Sequence, residues 1–173
     1  GWMLKQVGAG EQMVTGEQVG QGRCGSNIVC GGNSDEFDML GVNLAQHDDR
    51  YDQGQEWLDV VTQAWSSTEP FDYDGKFYQV HKTDINPKPY GGGRPTTVCA
   101  GNSPRGRKYA ARNADIMFTN LRMHIDEVPG TISELKGMAT GYNREIGGVA
   151  NVAVVCRPTK QEAEDRKSGG GGT

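Results

Sequence analysis

Four short apolar runs alternate with stretches of helical period along this sequence, and that alternation restricts the fold more than any other feature. The runs are Asn27-Ile28-Val29-Cys30, Pro95-Thr96-Thr97-Val98-Cys99-Ala100, Asp115-Ile116-Met117-Phe118-Thr119 and Asn151-Val152-Ala153-Val154-Val155-Cys156. Continuous apolar runs of this length suit strands covered on both faces of a parallel sheet. Between the first two, Trp57, Val60, Val61, Ala64 and Trp65 fall at helical spacing, which predicts an amphipathic helix over about residues 52 to 65. After the second, Ser103 is a good N-cap and Pro104 sits at the tolerated first helical position, so a helix is expected to run to about Asn113. Val128, Ile132, Leu135, Ala139, Tyr142 and Ile146 trace a third helical stripe. Thr159 with Glu162 forms a capping box that opens a fourth helix, cut off within about two turns by glycines. Strand followed by helix, repeated, is the pattern of a parallel sheet with right-handed crossovers.

Four segments stand outside this pattern. Phe71-Asp72-Tyr73-Asp74-Gly75-Lys76-Phe77-Tyr78 alternates aromatic and polar residues around an Asp-Gly turn, a strong hairpin signal. A polar loop with Asp35 and Glu36 is expected after the first strand. The first 25 residues mix glycine with helix-like pieces. Glycine is abundant, 26 of 173 residues, about twice the usual 7% share. Residues 168–173, Ser-Gly-Gly-Gly-Gly-Thr, read as a linker outside the fold.

Charge and cysteine usage narrow the function classes. A net charge of −4 and a pI near 5.4 disfavour a general nucleic-acid or anionic-membrane binder, because both surfaces attract clustered Lys and Arg. No apolar stretch approaches the roughly 20 residues needed to cross a bilayer. Cys24, Cys30, Cys99 and Cys156 are dispersed without a CxxC pair, so neither a zinc site nor a disulfide framework is indicated. Reduced thiols in a cytoplasmic protein are the simplest expectation. His47, His81 and His124 lack metal-ligand spacing. Small-molecule chemistry is the default.

Three constellations could carry that chemistry. Ala100-Gly101-Asn102-Ser103-Pro104-Arg105-Gly106 lies where a strand gives way to a helix. Unpaired N–H groups of the first turn, the helix dipole, the Ser103 hydroxyl and the Arg105 guanidinium would together favour a phosphate; the alternative is a plain Ser N-cap with Gly for close packing. Asn27 at a strand end and Glu36 in the following loop could match a flavin ring or its ribityl chain, or be ordinary loop residues. In His47-Asp48-Asp49-Arg50-Tyr51, Arg50 could clamp a phosphate and Tyr51 add a hydroxyl, or the segment could be a helix start with acids set against the dipole.

Together these segments resemble the luciferase-like, flavin-dependent monooxygenases, especially the branch acting on alkanesulfonates, dimethylsulfone and pyrimidines. The residues carrying the resemblance are Gly22-Arg23-Cys24-Gly25-Ser26-Asn27-Ile28-Val29-Cys30-Gly31, Asp35-Glu36-Phe37, His47-Asp48-Asp49-Arg50-Tyr51, Glu56-Trp57 with Trp65, the 71–77 hairpin, Pro87-Lys88-Pro89 and 100–106. It covers about residues 11 to 167. The resemblance implies a (β/α)8 TIM barrel, of which about four strand-helix units are present. Such a barrel typically needs about 250 residues, so residues 1–167 are expected to be its central part. It further implies FMN contacts at Asn27, Glu36, Arg50, Tyr51 and Ser103, with Ser103 at the phosphate end. Reduced FMN would come from a separate flavin reductase and react with O2 to oxygenate a small organic substrate, in an expected homo-oligomer. The family pattern has a bulky apolar residue at the positions of Cys24 and Ser26, and Trp at that of Gly32, so the chain departs there. Two other readings stay open: hydride transfer with a deazaflavin on the same barrel, and a non-catalytic half-barrel that binds flavin or serves assembly.

Overall fold

The computed structural model describes residues 2–31, 34–39, 47–120, 125–151 and 154–169. Its centre is a four-stranded, wholly parallel sheet in the order β1-β4-β5-β6. These strands are β1 (Gly25–Ile28), β4 (Thr96–Cys99), β5 (Ile116–Asn120) and β6 (Gly147–Asn151). The helices are α1 (Trp2–Gly20), α2 (Ser34–Met39), α3 (His47–Ser66), α4 (Pro104–Asn113), α5 (Val128–Thr140) and α6 (Lys160–Gly169). The expected excursion is an antiparallel hairpin of β2 (Phe71–Asp74) and β3 (Gln79–Thr83).

Alternation along the strands assigns their two faces. Ile28, Cys99 and Met117 point into one core with Leu58 of α3, Tyr109, Ala110 and Ala111 of α4, and Leu135 and Ala139 of α5. With a period of two, Asn27, Val98 and Phe118 lie on the opposite face, where Asn27 is exposed and Val98 and Phe118 are half-buried. A second cluster joins α1 to α3 through Val14, Val61 and Trp65. The hairpin closes over α3 through Tyr78, Val80 and Val60. One carboxylate seats it: Glu56 Oε1 accepts the N–H groups of Phe77 at 2.8 Å and Tyr78 at 2.7 Å.

At the amino-terminal edge of the sheet, Asp115 ties neighbouring segments together. Its Oδ2 accepts the Thr97 N–H at 2.8 Å, while Oδ1 pairs with both Arg94 and Arg144. These contacts lie at the end of β4 opposite the turn into α4, so they fix strand register and leave the other edge open to loops.

The structure departs from the sequence reading in four places. Residues 2–20 form a long helix despite Gly8, Gly10, Gly16 and Gly20, each costing about 1 kcal/mol relative to alanine. Gly10 shows what offsets part of this: a Cβ there would lie 3.0 Å from Val61 Cγ1, and its carbonyl accepts the Trp65 indole N–H at 3.3 Å. No contact explains Gly8 or Gly16. Asp35 and Glu36 sit in the six-residue helix α2 where a loop is expected. The fourth strand runs over Gly147–Asn151, four residues ahead of the apolar run at 151–156. Gly148 of this strand lies against Ile132 of α5, an approach that apolarity alone does not report. Residues 154–157 have no regular structure and 152–153 lie outside the described residues. Finally, α5 ends at Thr140, so Tyr142 and Ile146 are not on it, although Ile146 is buried in the same core.

Among the described residues, no helix is long and apolar enough to cross a membrane. No group of three or more His, Cys, Asp or Glu among them could hold a metal ion.

Candidate functional site

The turn from β4 into α4 forms as its residue types dictate. Ser103 is extended, with φ −66° and ψ 160°, and its Oγ accepts the Gly106 N–H at 3.1 Å. Pro104 contributes no N–H, and the Arg107 N–H is taken by the Ser103 carbonyl at 2.8 Å. The Arg105 N–H, second in the helix, is left without a helical partner by geometry. The N–H groups of Ala100 and Gly101 turn back to the Cys99 sulfur. What faces outward is the positive end of a helix dipole.

Tyr51 of α3 leans onto this turn. Its hydroxyl hydrogen-bonds with the Ser103 side chain. A Cβ on Gly101 would stand 2.7 Å from the Tyr51 hydroxyl and 2.9 Å from Gly106 Cα; one on Gly106 would stand 2.7 Å from the Gly101 carbonyl and from the same hydroxyl. Two bare backbones and a phenol therefore meet at van der Waals contact, and only glycine at both positions permits it. The Tyr51 ring tilts at 55° against that of Tyr109, centroids 5.6 Å apart. Tyr109 in turn donates to the Gly54 carbonyl at 3.3 Å.

Electrostatics beneath the turn are dominated by burial, with the Arg50 charge nearby. Burial pushes the Cys30 thiol up to about 11; neighbouring Cys99 adds to the shift, while the Arg50 charge and a hydrogen bond with Tyr109 oppose it. Burial likewise raises Tyr51, against the hydrogen bond with Ser103 and the charge of Arg50. Tyr109 is held far above the usual phenol range, first by burial and then by the two thiols. Arg50 is thus close to Cys30 and Tyr51. Its Nε and Nη1 are buried and without a hydrogen-bond partner among the described residues. A buried donor left unmet costs about 1–3 kcal/mol, more when charged. An anion at this turn would meet that demand.

The structure thus brings together Arg50, Tyr51 and Ser103. Asn27 lies on β1, beside Val98 of β4 and at the same carboxyl edge of the sheet. Arg105 is engaged elsewhere, because its guanidinium pairs with Asp52 of α3. That contact sets Arg105 on the α3 flank as a bridge between helices. Glu36 is in α2 and His47 opens α3; their side chains lie outside the described residues, as does His124. Of the residues that depart from the family pattern, Cys24 and Ser26 are half-buried and Gly32 is outside the described residues.

Sequence reasoning missed Tyr109, Cys30 and Cys99 as the floor of this site. A signal for Tyr109 was present, since Gly106, Tyr109, Ala110 and Asn113 recur at i, i+3, i+4 and i+7 and so share one helical face. No sequence pattern pairs Cys30 with Cys99. They meet because β1 and β4 are neighbours, with Ile28 opposite Cys99. All four cysteines are free.

Parallel strands that hand the chain to helices at one edge define an α/β protein of the class whose ligands gather at the carboxyl ends of the strands. Comparison with known proteins specifies the class further. The chain belongs to the luciferase-like monooxygenase family, whose model matches residues 7–167. It is 30% identical over 156 residues to the FMNH(2)-dependent dimethylsulfone monooxygenase of Pseudomonas fluorescens, covering 90% of this chain and 42% of that protein. Among solved structures, the EDTA monooxygenase of Chelativorans sp. BNC1 matches with a TM-score of 0.84 at 22% identity, over 94% of this chain and 43% of that one. A riboflavin lyase solved with modified FMN and riboflavin matches with a TM-score of 0.83 at 21% identity, over 94% of this chain and 41% of the other. The chain therefore spans about two fifths of the length of the relatives it matches.

Proposed function

We propose that this chain is the phosphate-holding part of a (β/α)8-barrel monooxygenase that uses reduced FMN and O2 to oxygenate a small organic substrate. The observation that carries the reading is the Arg50 guanidinium, whose Nε and Nη1 are buried without a partner among the described residues, beside Tyr51 and next to a helix N-terminus capped by Ser103. That donor set fits a phosphate: a cation, a hydroxyl pair and backbone N–H groups at a positive helix end. The dependence on FMNH(2) of the dimethylsulfone relative supports the choice of flavin.

Bound flavin would supply the redox chemistry with O2. This chain's own residues would do the holding. Ser103 and Arg50 bind the phosphate, Tyr51 fixes the Ser103 hydroxyl, and Asn27, with Glu36, orients the ring end. The thiols and phenols on the floor of the site carry no charge at neutral pH, so the phosphate would meet the Arg50 cation with no anion among them. A flavin reductase as electron source, a homo-oligomeric state and closure of the sheet by further strands belong to the same proposal.

Titrating FMN into the unsubstituted protein and into Ser103→Ala and Arg50→Ala variants tests it. Loss of a hydrogen bond to a charged group, about 1.5–3 kcal/mol, corresponds to a roughly 10- to 150-fold weaker complex. Undiminished affinity in both variants would remove the assignment. Oxygen consumption with reduced FMN and a panel of sulfones, sulfonates and nitrogen heterocycles then reads the activity.

A further inference from the structure

We infer that Arg107 is a positioning residue for the phosphate turn, aiming the Ser103 amide by holding the Asn102 carbonyl; the inference rests on the FMN reading above. Asn102 is held by its backbone to α4 and by its side chain to β5. Its carbonyl accepts from Arg107 Nε at 3.2 Å. Its Oδ1 accepts from the hydroxyl of Thr119, at 3.1 Å, and Thr119 is a buried residue near the end of β5. The Arg107 guanidinium is itself held, because Nη1 donates to Glu134 Oε2 of α5 at 2.9 Å. Glu134, Arg107, Asn102 and Thr119 thus make a continuous chain from α5 through the turn to β5.

The consequence follows from peptide geometry. In a trans peptide the carbonyl and the next N–H point in opposite directions. With the Asn102 carbonyl drawn toward Arg107, the Ser103 N–H is directed the other way. The planar guanidinium suits this task, since one edge can grip Glu134 while Nε–H addresses the carbonyl at a fixed angle. An exposed ion pair such as Arg107 with Glu134 adds little to stability by itself. Its effect is geometric: freed of Arg107, the 102–103 peptide can rotate and withdraw one donor from the anion.

The experiment compares FMN with riboflavin, which lacks the phosphate, by flavin fluorescence quenching in the full-length protein. Arg107→Met keeps the apolar stem and removes both hydrogen bonds. It is expected to weaken FMN about tenfold or more, the worth of one charge-assisted donor, and to leave riboflavin affinity and the melting temperature unchanged. Glu134→Gln, which loosens the guanidinium without touching the turn, shifts FMN affinity the same way by less. Equal loss for both flavins would mark Arg107 as a general structural support and overturn the inference, as would unchanged FMN affinity. If the unsubstituted protein takes FMN no better than riboflavin, the phosphate assignment itself has failed and this inference falls with it.

Discussion

Replacing Gly106 by alanine adds one methyl group at the tightest point of the candidate site. Position 106 is helical, so the substitution alone favours the helix by about 1 kcal/mol. Against that, the new Cβ would stand 2.7 Å from the Gly101 carbonyl carbon and oxygen and 2.7 Å from the Tyr51 hydroxyl. The phenol can retreat, but the Gly101 backbone can do so only by moving the turn. Overpacking of this kind costs about 1–3 kcal/mol, which leaves a net destabilisation of roughly 0–2 kcal/mol after the helical gain. For a chain of this size, that lowers the melting temperature by up to about 8 °C. FMN affinity is expected to fall together with stability, because the displaced segment is the one that carries Ser103. Gly137 in α5 is the internal control: a Cβ there would meet nothing within 4 Å, so Gly137→Ala should stabilise by about 1 kcal/mol. Thermal unfolding and flavin titration of the two variants side by side give the answer. If Gly106→Ala raises the melting temperature as Gly137→Ala does, the close approach of α4 to the turn is refuted.

Two further outcomes follow from the geometry. Glu56→Ala leaves the Phe77 and Tyr78 N–H groups without their acceptor, at about 1–3 kcal/mol for each donor that water does not recover; amide exchange should accelerate at those two positions first, and an unchanged exchange rate there would contradict the assigned role. Cys30 is raised from 9.0 to about 11 in the folded state, so the unfolded chain releases its proton first as pH rises. The contribution of this group to stability is therefore complete below pH 9 and lost as pH climbs through about 11. Unfolding midpoints across that window should decline less steeply in Cys30→Ala, and native Cys30 should resist alkylation at pH 8 while exposed Cys156 reacts.

The sequence by itself determined the elements whose cause is local. The helix over Pro104–Asn113 begins where Ser103 caps it, the Thr159 and Glu162 capping box closes as its spacing requires, and the aromatic alternation around Asp74-Gly75 becomes a hairpin. In each case the residues that dictate the conformation are within a few positions of where it forms. The candidate donors Arg50, Tyr51 and Ser103 were legible for the same reason, since each belongs to a short segment with its own chemistry.

Tertiary structure decided what depends on partners distant in sequence. Helix α1 survives its glycines because α3 covers one of its faces. The fourth strand of the sheet pairs with β5 over Gly147–Asn151, ahead of its most apolar stretch. Of the two guanidiniums, Arg105 turns to Asp52 while Arg50 keeps buried donors unmet among the described residues, a choice that composition cannot make. Cys30 and Cys99 share a core only because their strands lie side by side. Local propensity carries information over a few residues, whereas close approach, desolvation and pairing of charge are properties of surfaces that exist only once the chain has folded.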